Sequence, residues 1–284
     1  MIRNLARFAK AVTEEGDSWE SFLFRNTAPA NQAGEWVDMS MGAGTPKYNA
    51  YVGGQLEATA LVASGNNGIY AGQYGVKEKY INSVTLGTTP NLPACFILQD
   101  YLLFYPLVDG DNTDIQEMDN TQALPRYTSG FGVQCMIVCT TPMAADANIT
   151  VTYTNSDGVA GRISTNRLVF GSAVGRLMAG ADTSSAVGRR TPYIPLASGD
   201  KGIRSIDNVQ LASGAGGFFV MALVRPLMTM NYREAAVFSE CNTPIHRGGI
   251  IPRVYNGAYL NFICNSSVAG TLTPLLAQIQ FVNQ

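Results

Sequence analysis

The stretch Asn148–Ser164, NITVTYTNSDGVAGRIS, decides the fold class. Ile149, Val151 and Tyr153 alternate with Thr150, Thr152 and Thr154, so an extended chain here has one apolar face and one hydroxyl face. Asn155-Ser156-Asp157-Gly158 supplies the residue types that a tight reversal requires, and a second strand follows from Gly161 to Ser164. An alternating hairpin with one polar face indicates an antiparallel sheet that packs on one side.

The same punctuation by Gly, Pro, Asn and Asp recurs from Glu35 onward at spacings of about ten residues, the rhythm of an all-β chain. Strands are predicted over Glu35–Met41, Tyr48–Val52, Leu56–Val62, Tyr80–Leu86, Cys95–Phe104, Val133–Cys139, Ile149–Thr154 and Gly161–Ser164. Further strands are predicted over Arg204–Leu211, Phe218–Val224, Ala235–Phe238, Tyr259–Cys264 and Ala277–Val282. The fold class expected is mainly β, an antiparallel β-sandwich or jelly-roll-like body over residues 26–284. A chain of 284 residues has room for two packed sub-sandwiches, and the Gly/Ser/Ala-rich run at 171–188 is the boundary between them in this reading. Two segments echo each other, SGFGVQCMIVCTTPM from Ser129 and SGAGGFFVMALVRPLM from Ser213. Duplication and convergent turn chemistry explain that echo equally well.

The first 25 residues read differently. Leu5, Phe8, Ala9 and Val12 share one helical face, Arg3, Arg7 and Lys10 lie opposite, and Gly16 is a stop. Asp17-Ser-Trp-Glu20 has the form of a capping box that starts a second short helix through Trp19, Phe22 and Leu23. An N-terminal helical arm over residues 1–25 is therefore expected.

Composition narrows the function. Only 14% of residues are charged against 46% hydrophobic, so much of the surface is uncharged, which suits a chain covered by neighbours in an assembly. The net charge of -2 and an isolated Arg189-Arg190 pair offer no basic patch, so nucleic acid is not expected as the main partner. The five cysteines, Cys95, Cys135, Cys139, Cys241 and Cys264, are odd in number and mostly lie in apolar runs, which reads as free thiols from a reducing compartment. No apolar run reaches 18 residues and the start lacks a signal-peptide core, so no membrane partner is expected.

Catalytic motifs are sparse. His246 is the single histidine, no G-x-S-x-G surrounds a serine, no phosphate-binding loop occurs and the cysteines lack zinc spacing. The densest chemistry is acidic: Asp109, Asp111, Asp114, Glu117 and Asp119, with no Lys or Arg between Lys79 and Arg126. Asp109, Asp111 and Asp114 offer oxygen ligands for Ca²⁺, yet counting from Asp109 places Asp114 where an EF-hand needs Gly and Asn120 where it needs Glu. The same carboxylates are the ones a glycan-binding or glycan-cleaving protein would use. The prevailing reading is an assembly loop, with no catalytic residue, no cofactor and no metal.

Five longer phrases carry a resemblance. They are WVDMSMGAGTPKYNAYVGGQLEATAL from Trp36, GNNGIYAG from Gly65, DYLLFYPLVDGDNTDIQEMDNTQALPRYTSG from Asp100, YTNSDGVAGR from Tyr153 and IPLASGDKGIRSIDNVQL from Ile194. Together they resemble a family of tailed-bacteriophage virion structural proteins, head-associated and of decoration or minor capsid type. The resemblance implies a non-enzymatic virion protein made in the bacterial host cytoplasm. It also implies self-association as a homo-oligomer, with a trimer as the state considered, and binding to the major capsid protein or other virion proteins. A tail or baseplate protein, the major capsid protein itself, and a glycan-binding receptor protein are the alternatives. The major capsid protein fits least, because no long helical period appears after residue 25.

Overall fold

The structure is a computed structural model that describes residues 10, 18–30, 32–64, 67–72, 78–88, 93–169, 173–180, 183, 191–233, 240–242, 251–270 and 273–283. Its strands form three sheets, and every strand pairing among the described residues is antiparallel. One sheet comprises β1 (Ser18–Arg25), β3 (Gly44–Thr45), β6 (Lys79–Thr88), β14 (Glu240–Asn242), β15 (Arg253–Val254) and β17 (Leu275–Asn283). A second holds β8 (Gln116–Glu117), β10 (Ala147–Asn155), β11 (Arg162–Leu168) and β12 (Ile203–Leu211). The central sheet is built on two long strands, β7 (Ala94–Asp109) and β13 (Phe218–Tyr232). It is completed by β2 (Trp36–Asp38), β4 (Thr59–Ala60), β5 (Ile69–Tyr70), β9 (Gln134–Thr141) and β16 (Tyr259–Ser266).

Alternation along β7 explains how one sheet serves two cores. Phe96 and Leu98 join a cluster with Leu23, Ile81, Val84, Leu86, Ile279 and Phe281 of the six-stranded sheet. Further along, Leu102, Leu103 and Tyr105 join Ile149, Val151, Tyr153, Ile206 and Val209 of the four-stranded sheet. The opposite-facing residues Ile97, Tyr101 and Phe104 pack with Tyr51, Ala63 and Leu177. The central sheet thus lines two cores through β7 and β13, and Asp100 lies between them. Pro106 and Leu107 sit in a break of the β7–β13 register, the kind of place where a strand tolerates proline.

The decisive hairpin forms as β10 and β11, with Tyr153 opposite Arg162. Asn155 closes its turn, its Oδ1 accepting from the amides of Asp157 and Val159 at 3.0 Å each, and Gly158 takes the positive φ of 81° that the reversal needs. The echoing segments lie side by side, β9 pairing with β13 in one sheet. Of the run at 171–188, residues 173–180 bring Leu177, Met178 and Ala179 into the buried interior. No strand forms at Tyr48–Val52. Tyr51 has φ 49°, which turns its ring against Phe104 at 5.2 Å.

The second helix expected near the N-terminus is corrected to a strand. Ser18–Arg25 pairs along its whole length with β17, Trp19 opposite Phe281 and Leu23 opposite Ala277. Its burial alternates, with Leu23 and Arg25 inward and Phe22 and Phe24 outward. A long-range partner at the far end of the chain overrides the local capping signal, since strand pairing supplies backbone hydrogen bonds and an aromatic stack of Trp19 on Phe281 at 5.4 Å. The first expected helix lies outside the described residues except for Lys10, which is helical. The expected strand Ala235–Phe238, Arg189-Arg190 and His246 also lie outside them. Among the described residues no helix is long and apolar enough to cross a membrane.

Candidate functional site

The acidic stretch follows the end of β7, and Asp109, Asp111 and Asp119 accept from backbone amides. Asp109 Oδ1 accepts from the Asp111 amide at 2.9 Å, Asp111 Oδ1 from the Gly216 amide at 2.9 Å, and Asp119 Oδ1 from the Thr121 amide at 3.1 Å. The Asp114 amide donates to Asn112 Oδ1 at 2.9 Å. Gln116 clamps the base of the loop, accepting from the Asp109 amide and donating to its carbonyl, each at 2.9 Å. Asp111, Asp114, Glu117 and Asp119 are exposed, as is Ile115 between them. Asp109, Asp111 and Asp114 do not converge: among the described residues no group of three or more His, Cys, Asp or Glu could hold a metal.

Stronger electrostatics lie in the interior. Asp100 is fully buried and forms a two-pronged pair with Arg126, Oδ2 to Nε at 2.9 Å and Oδ1 to Nη2 at 2.8 Å. Arg126 Nη2 also donates to the carbonyls of Leu61 and Tyr101, and the Tyr259 amide donates to Asp100 Oδ1 at 2.9 Å. Burial pushes the Asp100 carboxyl up, and Arg126 foremost pulls it back. On the other face of β7, Asp38 accepts from the hydroxyls of Tyr51 at 2.5 Å and Tyr101 at 2.6 Å and from the Ser40 amide at 2.9 Å. Burial raises Asp38 as well, against those hydrogen bonds. Both carboxylates sit in internal networks that already engage them, which suits a structural role better than substrate binding.

The Asp100–Arg126 pair does position a surface feature. It anchors the segment Pro125–Phe131, which forms one wall of a cleft of about 730 Å³. Glu78, Lys79, Arg225, Arg253, Val254 and Tyr255 complete the walls. The rings of Tyr127 and Tyr255 meet edge to face at 4.8 Å, Arg225 lies 5.7 Å over Tyr127, and Arg253 lies 4.7 Å over Tyr255. Two aromatic rings are thereby bracketed by two guanidinium groups, a cation–π arrangement that pre-sets both cations.

Charge in the cleft is unbalanced. Arg253 pairs with Glu78 at 2.7 Å and Arg126 with Asp100, whereas Arg225, half-buried, donates only to the Phe131 carbonyl at 3.2 Å among the described residues. Lys79, 1% exposed, donates to the Gly72 carbonyl, and burial lowers its pKa to about 8 against the pull of Asp100. Gly132 makes room for Arg225: a Cβ there would stand 1.2 Å from its Nη1.

The described cysteines, Cys95, Cys135, Cys139 and Cys264, are free thiols. Burial pushes Cys135 and Cys264 up, which keeps them protonated and unreactive.

Sequence reading finds the acidic loop and misses the cleft. A signal exists in Asp100, a lone carboxylate inside the apolar run CFILQDYLLFY, which demands a buried cation, and Arg126 is the next basic residue along the chain. Nothing local brings Arg225 and Arg253 to the same place, because they reach it on strands of different sheets.

The outer face of the six-stranded sheet is the remaining feature. Register places Glu20, Phe22 and Phe24 of β1 beside Gln280, Gln278 and Leu276 of β17, and those beside Ser83, Thr85 and Gly87 of β6. Phe22, Phe24 and Leu276 are 63%, 40% and 45% exposed. Glu20 is the one charged side chain among these nine residues.

No family model and no curated protein matches the chain. A solved structure of infectious bursal disease virus, Gt strain, is similar at a TM-score of 0.20 and 9% identity, over 94% of this chain and 80% of that one. A likeness at that level carries no argument about fold or function.

Proposed function

We propose that this chain is a non-enzymatic structural protein of a tailed-phage particle, a head decoration or minor capsid protein that associates with itself and binds the capsid shell. The observation that carries the reading is the outer face of the six-stranded sheet. An antiparallel sheet exposed to water normally turns polar and charged side chains outward. This one turns out Phe22, Phe24 and Leu276 among amides and hydroxyls with Glu20 as the single charge among those nine residues, and the opposite face is already filled by the core. Apolar side chains ringed by uncharged polar groups match the anatomy of a protein–protein contact. The extended phrases that resemble phage virion proteins support the same reading, as does the low overall charge.

In this proposal the sheet face docks on the shell. The test is sedimentation of the full chain with tailed-phage capsids that lack it. The full chain is expected in the pellet with the capsids, and Phe22→Ser/Phe24→Ser in the supernatant with its melting temperature retained. A folded full chain that stays in the supernatant overturns the proposal.

A further inference from the structure

We propose that the basic aromatic cleft of one copy receives the acidic loop of a second copy, so that the protein associates head to tail through Arg225, Arg253, Tyr127 and Tyr255 on one side and Asp111, Asp114 and Ile115 on the other. This rests on the self-association half of the function proposed above.

The two surfaces complement each other in charge and in apolar character. The cleft presents a half-buried guanidinium with no carboxylate partner among the described residues, a second guanidinium at its rim and two aromatic rings between them. Its floor includes Lys79, whose ammonium has three donors and a single carbonyl partner among the described residues. The loop is the reverse image. Asp111 and Asp114 are exposed and no carboxylate from Asp109 to Asp119 is in an ion pair among the described residues. Ile115, 55% exposed, stands among these carboxylates as an apolar group for the tyrosine pair.

One copy cannot satisfy itself. In the shared ribbon Arg225 is opposite Asp100, whereas Phe218 is opposite Asp109, where the loop begins. Nine residues of β7 separate these stations, a span of roughly 25–30 Å. Contact between cleft and loop therefore joins two molecules through different surfaces. Such a heterologous interface closes into a ring where the rotation permits and otherwise continues as a chain.

The test uses full-length protein in sedimentation velocity at low salt, without capsids, so it is independent of shell binding. Cleft reversal (Arg225→Glu/Arg253→Glu) and loop reversal (Asp111→Lys/Asp114→Lys) are each expected to weaken self-association at least roughly tenfold, since like charges then face each other. Mixed together, the two variants offer opposite charges at both junctions, one with the original signs and one with the signs exchanged, and the expected product is an alternating assembly that holds the two chains in 1:1 ratio. A chain carrying all four reversals is expected to regain self-association. The proposal is overturned if, with melting temperatures retained, either reversed variant associates like the wild type or the mixture shows no association between the two variants. Binding of an acidic saccharide at the cleft that loop reversal leaves unchanged, together with monomeric wild type, overturns it as well.

Discussion

Replacing Arg126 by Met probes the junction of the two cores. The substitution keeps the stem of the side chain and removes two hydrogen bonds to Asp100 together with the donors to the Leu61 and Tyr101 carbonyls. Asp100, 0% exposed, is left with the Tyr259 amide and with Lys79. Stranding a buried charge in this way costs about 3–5 kcal/mol. With an unfolding entropy of roughly 2.1 cal/mol/K per residue, the melting temperature is expected to fall by about 5–8 °C. The pH dependence gives the cause away. Burial already holds the Asp100 carboxyl above its ordinary value, and loss of Arg126 raises it further. A folded-state pKa above the unfolded one means the native state binds more protons within that window, so stability falls as pH rises through it. The deficit of the variant is therefore expected to be larger at pH 8 than at pH 5, by about 1.4 kcal/mol for each unit the carboxyl is raised. Urea unfolding at both pH values measures this, and adding Asp100→Asn to the Arg126→Met variant is expected to recover more than half of the loss. A variant within about 1 kcal/mol of wild type at both pH values would falsify the argument, because it would show that the pair holds nothing at the junction.

Tyr101→Phe removes the 2.6 Å hydrogen bond to Asp38 while keeping the ring, and a loss of about 1.5–3 kcal/mol in chemical denaturation is expected. Lys79, held down at about 8 by burial, binds fewer protons when folded than when unfolded, so it adds stability as pH rises from 8 toward its ordinary value. Comparison of wild type with Lys79→Met should show that slope in the wild type alone, and equal slopes would contradict the assignment. Calcium at millimolar concentration is expected to leave the melting temperature unchanged within about 1 °C, because Asp109 and Asp119 cap their own turns, Asp111 accepts from the Gly216 amide and the three carboxylates Asp109, Asp111 and Asp114 do not converge. A saturable rise that chelator reverses would restore the metal reading of Asp109, Asp111 and Asp114.

Legibility from sequence follows the range of the interactions. The hairpin at Asn148–Ser164 is readable because its alternation and its turn are local, and β12 is readable for the same reason. β7 announces itself by an apolar run but extends to Asp109 rather than stopping at Phe104, since the break at Pro106 and Leu107 looks like an end until the pairing with β13 is known. β1 reads locally as helix because Asp17-Ser-Trp-Glu20 has the form of a capping box, and its strand character comes from β17 at the far end of the sequence. The acidic loop is visible as composition, whereas the cleft that complements it is not. Its guanidiniums come from Arg225 and Arg253, and only the three-dimensional arrangement of the sheets brings those positions together around Tyr127 and Tyr255.

The most direct test of the structural role is to image purified phage particles that carry this chain and locate it there. The expected result is repeated density on the head shell that fits the three antiparallel sheets, with the face bearing Phe22, Phe24 and Leu276 turned toward the shell. Absence of the chain from the shell of such particles would contradict the proposed function.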